Sequence, residues 1–276
     1  MRERPGDEMN GPARATALAA RAVGDVLSSL RFFTRLPLPT RETEPPDWAH
    51  IAWSAPLAGA IVGAIGGLAL VVAHELSLPP FLAATLAIGA LVLTTGALHE
   101  DGLADVADGF GGGSTREAKL AIMRDSRIGA FGAVALVLSL LLRVGALAAL
   151  QRHSPGFAFA GLVLANAAAR AGALAPLAWL GPARSDGAGA SAGRLDSAHL
   201  LAAALSVVAV AFVTGLASLG VVRALFACVL AAGSAWGLCA IARRQIGGQT
   251  GDVAGASAQL GEVASLCALL IGGREA

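Results

Sequence analysis

Long stretches without charge alternate along the chain with short polar joints. About 20 apolar residues suffice to cross a bilayer core as a helix. Runs approaching or exceeding that length occupy residues 56–73, 81–98, 129–150, 157–180, 200–219 and 221–242. A seventh apolar piece, 256–271, is short and carries Glu262, so it reads as a short span, a re-entrant helix or a core-packed helix. Only Gly220 separates the fifth and sixth runs. Ahead of the first run, residues 16–33 set Val23, Val26, Leu27, Leu30 and Phe33 at three- and four-residue steps, with Arg21, Asp25 and Arg31 on the other face. That spacing predicts an amphipathic helix lying in the membrane surface or on the bundle, ended by Pro37-Leu38-Pro39. The pattern as a whole predicts an all-α, polytopic transmembrane bundle of six to seven spans. Residues 1–24 are expected to be a polar, flexible extension, and 25–276 a single membrane-embedded catalytic domain.

Composition agrees. Charged residues make up 14% of the chain and hydrophobic ones 55%, against about 25% charged in a soluble domain. A net charge of +1 says nothing about nucleic acid, no basic run suggests it, and none is expected as a partner. Cys228, Cys239 and Cys267 lie in apolar runs, form no metal or disulfide pattern, and read as small core residues. Arg21 and Asp25 interrupt the first apolar stretch, which is unlike a cleaved signal peptide.

Sidedness follows from the arginines. Arg2, Arg4, Arg14, Arg21, Arg31, Arg35 and Arg41 precede the first run; Arg116, Lys119, Arg124 and Arg127 follow the second; Arg184 and Arg194 follow the fourth, and Arg243 and Arg244 the sixth. The opposite ends offer only Arg152 and Arg223. With the N-terminus in the cytoplasm, nearly all positive charge lies inside, and Trp48, Trp53, Trp179 and Trp236 fall near that interface as an aromatic belt. Any site is then expected on the cytoplasmic face of the membrane.

On that face stands HEDGLADVADGFGGG, residues 99–113, with Glu100, Asp101, Asp105 and Asp108 and no basic residue among them. If the second span continues inward as a helix, Asp101, Asp105 and Asp108 fall within about 60° of one another and Glu100 about 80° from Asp108. Such a stripe of like charge calls for a cation. Oxygen ligands without a His or Cys array favour Mg²⁺, with Mn²⁺ as a substitute. The competing reading is a solvated acidic loop capping a membrane helix. One-sided spacing, missing counter-charge and interleaved glycines favour the site, while His99 reads better as an interfacial histidine.

Two further stretches share the face. MRDSRIG supplies Arg124, Asp125 and Arg127 ahead of the third run, and arginine forks suit phosphate oxygens. Positive-inside anchoring accounts for the arginines but not for Asp125. GGQTGD offers Gln249, Thr250 and Asp252 at a helix entrance, where backbone amides can meet an anion. Arg143 and Arg170 sit inside runs three and four, where a buried arginine faces a partner or a polar cavity. Asn166 stands one turn before Arg170.

RFFTRLPLP, HEDGLADVADG, IMRDSRIGAFG and GGQTGD, in this order, closely resemble the cobalamin synthase family, and the resemblance covers roughly Leu27 to Leu270. The glycine- and serine-rich segment 181–199 corresponds least and is expected to be a flexible loop. The resemblance implies a Mg²⁺-dependent membrane transferase acting on adenosylcobinamide-GDP. In it a ribose hydroxyl of α-ribazole, or of its 5′-phosphate form, attacks the phosphorus on the cobinamide side and GMP leaves. Glu100, Asp101, Asp105 and Asp108 would then hold the metal. Lys119, Arg124 and Arg127, with Gln249 and Thr250, would meet the diphosphate, and Asp125 or Asp252 would be the base or remaining ligand. Expected partners are the two substrates, the lipid bilayer, and a second copy of the chain or other cobalamin-assembly enzymes. A CDP-alcohol phospholipid synthase is the rival enzyme, but its DxxDGxxAR motif is absent. A divalent-cation transporter is the rival of another class, but it would place acids at mid-membrane rather than at one edge.

Overall fold

The computed structural model describes residues 11–38, 47–191 and 194–272. Arg2, Arg4 and Arg41, and Pro39 of the expected helix stop, lie outside the described residues. Helix α1 (Gly11–Phe33) is followed by the short α2 (Trp48–Ile51) and a 3₁₀ turn that leads into α3 (Ala55–Glu75). Then come α4 (Pro80–Thr95), α5 (Leu98–Gly112), α6 (Arg116–Ile122), α7 (Ala130–His153) and α8 (Pro155–Trp179). The one-turn α9 (Ala188–Ser191) precedes α10 (Ser197–Thr214), which ends in a π turn, and α11 (Val221–Gln245) and α12 (Gly251–Ala268) close the chain.

Among the described residues five helical segments are long and apolar enough to cross a membrane: Trp48–Glu75, Ala130–His153, Pro155–Trp179, Ser197–Leu219 and Val221–Gln245. A sixth span arises only if α4 and α5, bent by 89°, are counted together. The architecture is that of an all-α, multi-pass membrane protein. The reach of α1 back to Gly11 makes part of the polar N-terminal segment helical.

Helix α8 is the axis. It is almost wholly buried, the polar Asn166 and Arg170 included. Its neighbour α3 carries Gly59 and Gly63 where a Cβ would overlap the backbone carbonyls of Asn166 and Leu162. Small residues therefore set how closely these two helices approach, the usual device where lipid removes a hydrophobic drive between helices. Helix α12 settles the open reading of 256–271 as a core-packed helix. Its polar face turns into protein, with Ser257 Oγ donating to the Gly172 carbonyl at 2.7 Å and Gln259 Nε2 to Ser139 Oγ at 2.9 Å.

Two expectations are corrected. The second apolar run does not continue straight into the acidic segment. Gly96 and Ala97 both take left-handed backbone angles (φ 65° and 60°), which ends α4 and turns α5 across the end of the bundle. Arg35 lies against Gly96, and its amide donates to the Thr94 carbonyl at 2.8 Å, so the RFFTR segment braces the corner. Nor is Trp48 part of an aromatic belt. It is buried against Phe32 and Phe33, with ring centroids 4.6 and 5.6 Å away, whereas Trp179 and Trp236 are exposed.

Candidate active site

Helix α5 packs on the start of α12 through glycine. A Cβ at Gly102 would come within 2.8 Å of the Asp252 carbonyl oxygen and 3.2 Å of Gly255 Cα. This contact sets the exposed Asp101 and half-buried Asp105 facing the first turn of α12, where Asp252 stands. The Asp105 carboxyl is pushed up to about 7, by burial first and then by the charges of Asp101, Asp252 and Asp108. Burial and the crowding of like charge in this groove thus act on Asp105 in the same direction.

The other two acids of HEDGLADVADG are committed elsewhere. Asp108 is buried and accepts the Gly129 and Gly132 amides at 2.7 and 2.8 Å, capping the N-terminus of α7. A Cβ at either glycine would collide with its carboxylate, which explains the glycines of RIGAFG. Glu100 turns the opposite way and accepts from Arg143 Nη1 at 2.7 Å; Arg143 also donates to both oxygens of Glu262 at 3.1 and 3.2 Å. This buried triad ties α5 to α7 and α12. The expected stripe of four acids therefore divides into one open pair, Asp101 and Asp105, and two structural carboxylates. Arg170 is likewise buried, donating to Asn166 Oδ1 at 2.7 Å and lying over the Phe33 ring at 6.0 Å. His99 stacks on Phe33 at 5.9 Å, and burial beside Arg170 and Arg143 holds its pKa well below the usual value, hence neutral.

Segment 181–187 is not loose. The Gln249 amide donates to the Gly181 carbonyl at 2.9 Å and the Ala183 amide to the Gln249 carbonyl at 2.8 Å. Arg116 donates to the carbonyls of Ile246 and Ala183 at 2.7 and 2.6 Å. The strap carries Arg184 into the groove, with Nη2 3.5 Å from Asp252 Oδ2 and a buried Nη1 that has no hydrogen-bond partner. Asp186, next but one, holds Arg124 at 2.6 Å. Sequence reasoning used Arg184 only to set sidedness. Its separation of 68 residues from Asp252 and 79 from Asp105 left no spacing signal to find it by.

The remaining predicted residues separate. Arg127 is exposed and forks onto Asp125, drawing that carboxyl down to about 2, so Asp125 is a poor proton acceptor. Lys119 donates to Gln245 Oε1 at 2.5 Å. Gln249 is buried and donates to the Gly189 carbonyl, while Thr250 caps α12 by accepting the Val253 amide and donates to Asp252 at 3.1 Å. Between the acids and α1 opens a cleft of about 160 Å³, walled by Phe32, Phe33, Trp48, Leu174 and Leu177 and reached by His99, Asp101 and Asp252. Among the described residues no three acid, histidine or cysteine side chains form a ready-made metal cage.

The cobalamin-5-phosphate synthase family (CobS) matches residues 25–270, from within α1 through α12. The chain belongs to this family. An adenosylcobinamide-GDP ribazoletransferase of Azorhizobium caulinodans is 47% identical over 256 residues, covering 91% of this chain and 97% of the relative. That of Xanthobacter autotrophicus is 48% identical over 257 residues, covering 91% and 97%. That of Rhizobium johnstonii is 43% identical over 252 residues, covering 89% and 95%. No solved structure matches. As a cobalamin-5-phosphate synthase the chain is a transferase of the final step of cobalamin assembly. The groove of Asp101, Asp105, Asp252 and Arg184 lies wholly inside the family match.

Proposed function

We propose that this groove transfers the adenosylcobinamide-phosphate group of adenosylcobinamide-GDP to a ribose hydroxyl of α-ribazole, or of α-ribazole 5′-phosphate, with release of GMP. The observation that carries the reading is the glycine contact between α5 and α12, which gathers Asp101, Asp105 and Asp252 beside Arg184. A diphosphate donor must be neutralised and positioned, since phosphoryl transfer relies on little else. Arg184, with an unpartnered Nη1, is the cation nearest the acids, and Arg124 is linked to it through Asp186.

The raised Asp105 fits a divalent cation, because a group that resists ionising beside other carboxylates is relieved by positive charge. Asp101 and Asp105 would hold Mg²⁺, which takes one or two protein carboxylates and fills its shell with water and substrate phosphates. Bound there, it would supply charge neutralisation for the diphosphate and the leaving GMP. Asp252 lines the cleft and is not locked to a close guanidinium as Asp125 is, so it accepts the proton of the attacking hydroxyl. One P–O bond forms to the ribose oxygen as the P–O bond to GMP breaks, with the hydroxyl proton passing to Asp252. The excess of arginine at this end of the bundle supports a site open to the cytoplasm. The domain extends over residues 25–276.

The test is GMP release from adenosylcobinamide-GDP by the purified chain in lipid, with and without α-ribazole and Mg²⁺. Release should need both; release without α-ribazole, or unaffected by chelation, would reject the reading.

A further inference from the structure

The cleft beside the acids has a composition that the transfer chemistry does not require. Three aromatic rings and three leucines form its walls, and Gly102, Gly189, Gly251 and Gly255 leave room along its sides. Its polar side chains are Asp101, Asp252 and His99. His99 is 4% exposed and its Nε2 has no hydrogen-bond partner among the described residues. A buried polar atom left unpaired costs about 1–3 kcal/mol, so an orphan on the wall of a cleft points to a ligand that completes it.

We propose that this cleft is the seat of the acceptor's base: the benzimidazole of α-ribazole lies against Phe32, Phe33 and Trp48, and His99 Nε2–H donates to the ring nitrogen that carries no ribose. The proposal rests on the function proposed above and identifies which substrate occupies which part of the site. Shape and polarity choose the occupant. About 160 Å³ takes a bicyclic ring and not a corrin. Guanine and the adenine of the adenosyl group, the other bicycles among the substrates, each present several donors and acceptors along their edges, and walls of Phe, Trp and Leu would leave most of them unmade at a cost for each. The benzimidazole of ribazole has one free hydrogen-bonding atom, an acceptor, and His99, which lines this cleft, carries one ring nitrogen without a partner among the described residues. With the base seated there, the remaining polar lining, Asp101 and Asp252, meets the ribose, and its attacking hydroxyl comes to the groove where the diphosphate is held.

Equilibrium binding to the purified full-length chain separates the possibilities, using α-ribazole and its dimethylindole analogue, in which the free ring nitrogen is replaced by CH. Wild type should prefer α-ribazole by roughly five- to tenfold, the worth of one hydrogen bond. His99→Phe should bind both alike, and His99→Gln, which keeps a donor, should restore part of the preference. Should His99→Phe fail to fold, Ala173→Val on the cleft wall serves instead. It should weaken binding of both nucleosides several-fold and leave KM for adenosylcobinamide-GDP unchanged. An unaltered preference in His99→Phe, or an Ala173→Val effect confined to adenosylcobinamide-GDP, would overturn the assignment. Nitrogen-dependent α-ribazole binding without any GMP release would uphold the cleft and reject the transferase reading. GMP release with binding indifferent to both positions would do the reverse.

Discussion

Glu100 and Asp101 are consecutive, carry the same charge, and live in opposite worlds. Glu100 points into the bundle, where Arg143, with 2% of its side chain exposed, bridges it to Glu262 and the buried Arg170 adds a second positive charge beside both acids. Asp101 points out, onto a groove shared with Asp105 and Asp252 whose nearest cation, Arg184, stands 3.5 Å from Asp252. In the first region the protein has answered its own charge. In the second it has left charge unanswered at a place open to solvent, and such a site is stable only when something else supplies the counter-charge. The buried network is therefore a joint, and the open groove a site.

The contrast breaks most visibly at Arg143. Arg143→Leu strands two buried carboxylates, a loss of about 3–5 kcal/mol, and should remove the folded chain from the membrane or lower its detergent-solubilised melting temperature by many degrees. Wild-type-like melting would show the triad to be dispensable. Asp101→Asn and Asp105→Asn should do the opposite, leaving the melting temperature unchanged or slightly raised while cutting GMP release at least about a hundredfold, the scale of losing one preorganised charge contact.

Arg184→Ala tests whether the strap belongs to the groove. About a tenfold rise in KM for adenosylcobinamide-GDP is expected, with KM for α-ribazole little changed; Lys at this position should recover only part. The mildest effect concerns pH. Because Asp105 titrates near 7 instead of 3.8, protons compete with a bound cation, so the Mg²⁺ needed for half-maximal rate should rise by up to about tenfold per unit as pH falls below 7 and level off above it. Without divalent cation the sign for stability follows the raised value. The folded chain keeps a proton that the unfolded chain has lost, so this contribution is full below about 4 and is lost as pH rises to about 7. Melting curves of wild type and Asp105→Asn across that window should converge at low pH, and parallel curves would count against the crowded-carboxylate picture.

The apolar runs specified the helices because a bilayer-sized helix needs only uninterrupted hydrophobicity, and α3, α7, α8, α10 and α11 lie where those runs lie. The family was legible as well, in four short motifs whose order survives in the chain. Which acids would stay open was not. Spacing on a helix gives angles about one axis, and Glu100, Asp101, Asp105 and Asp108 are equivalent until α7 and α12 are packed against α5. Nor was Arg184 legible, since a strap is held by backbone pairing between segments far apart in the chain.

The sequence by itself determined that this is a membrane bundle of one family with a polar end rich in acids and arginines, because hydropathy and local motifs are properties of contiguous residues. The tertiary structure decided which charges cancel and which remain. That depends on the 89° turn at Gly96–Ala97 and on glycine contacts close enough to bring one helix's carboxylates to another's first turn. Charge balance is a sum over neighbours in space, and a sequence orders neighbours only along the chain.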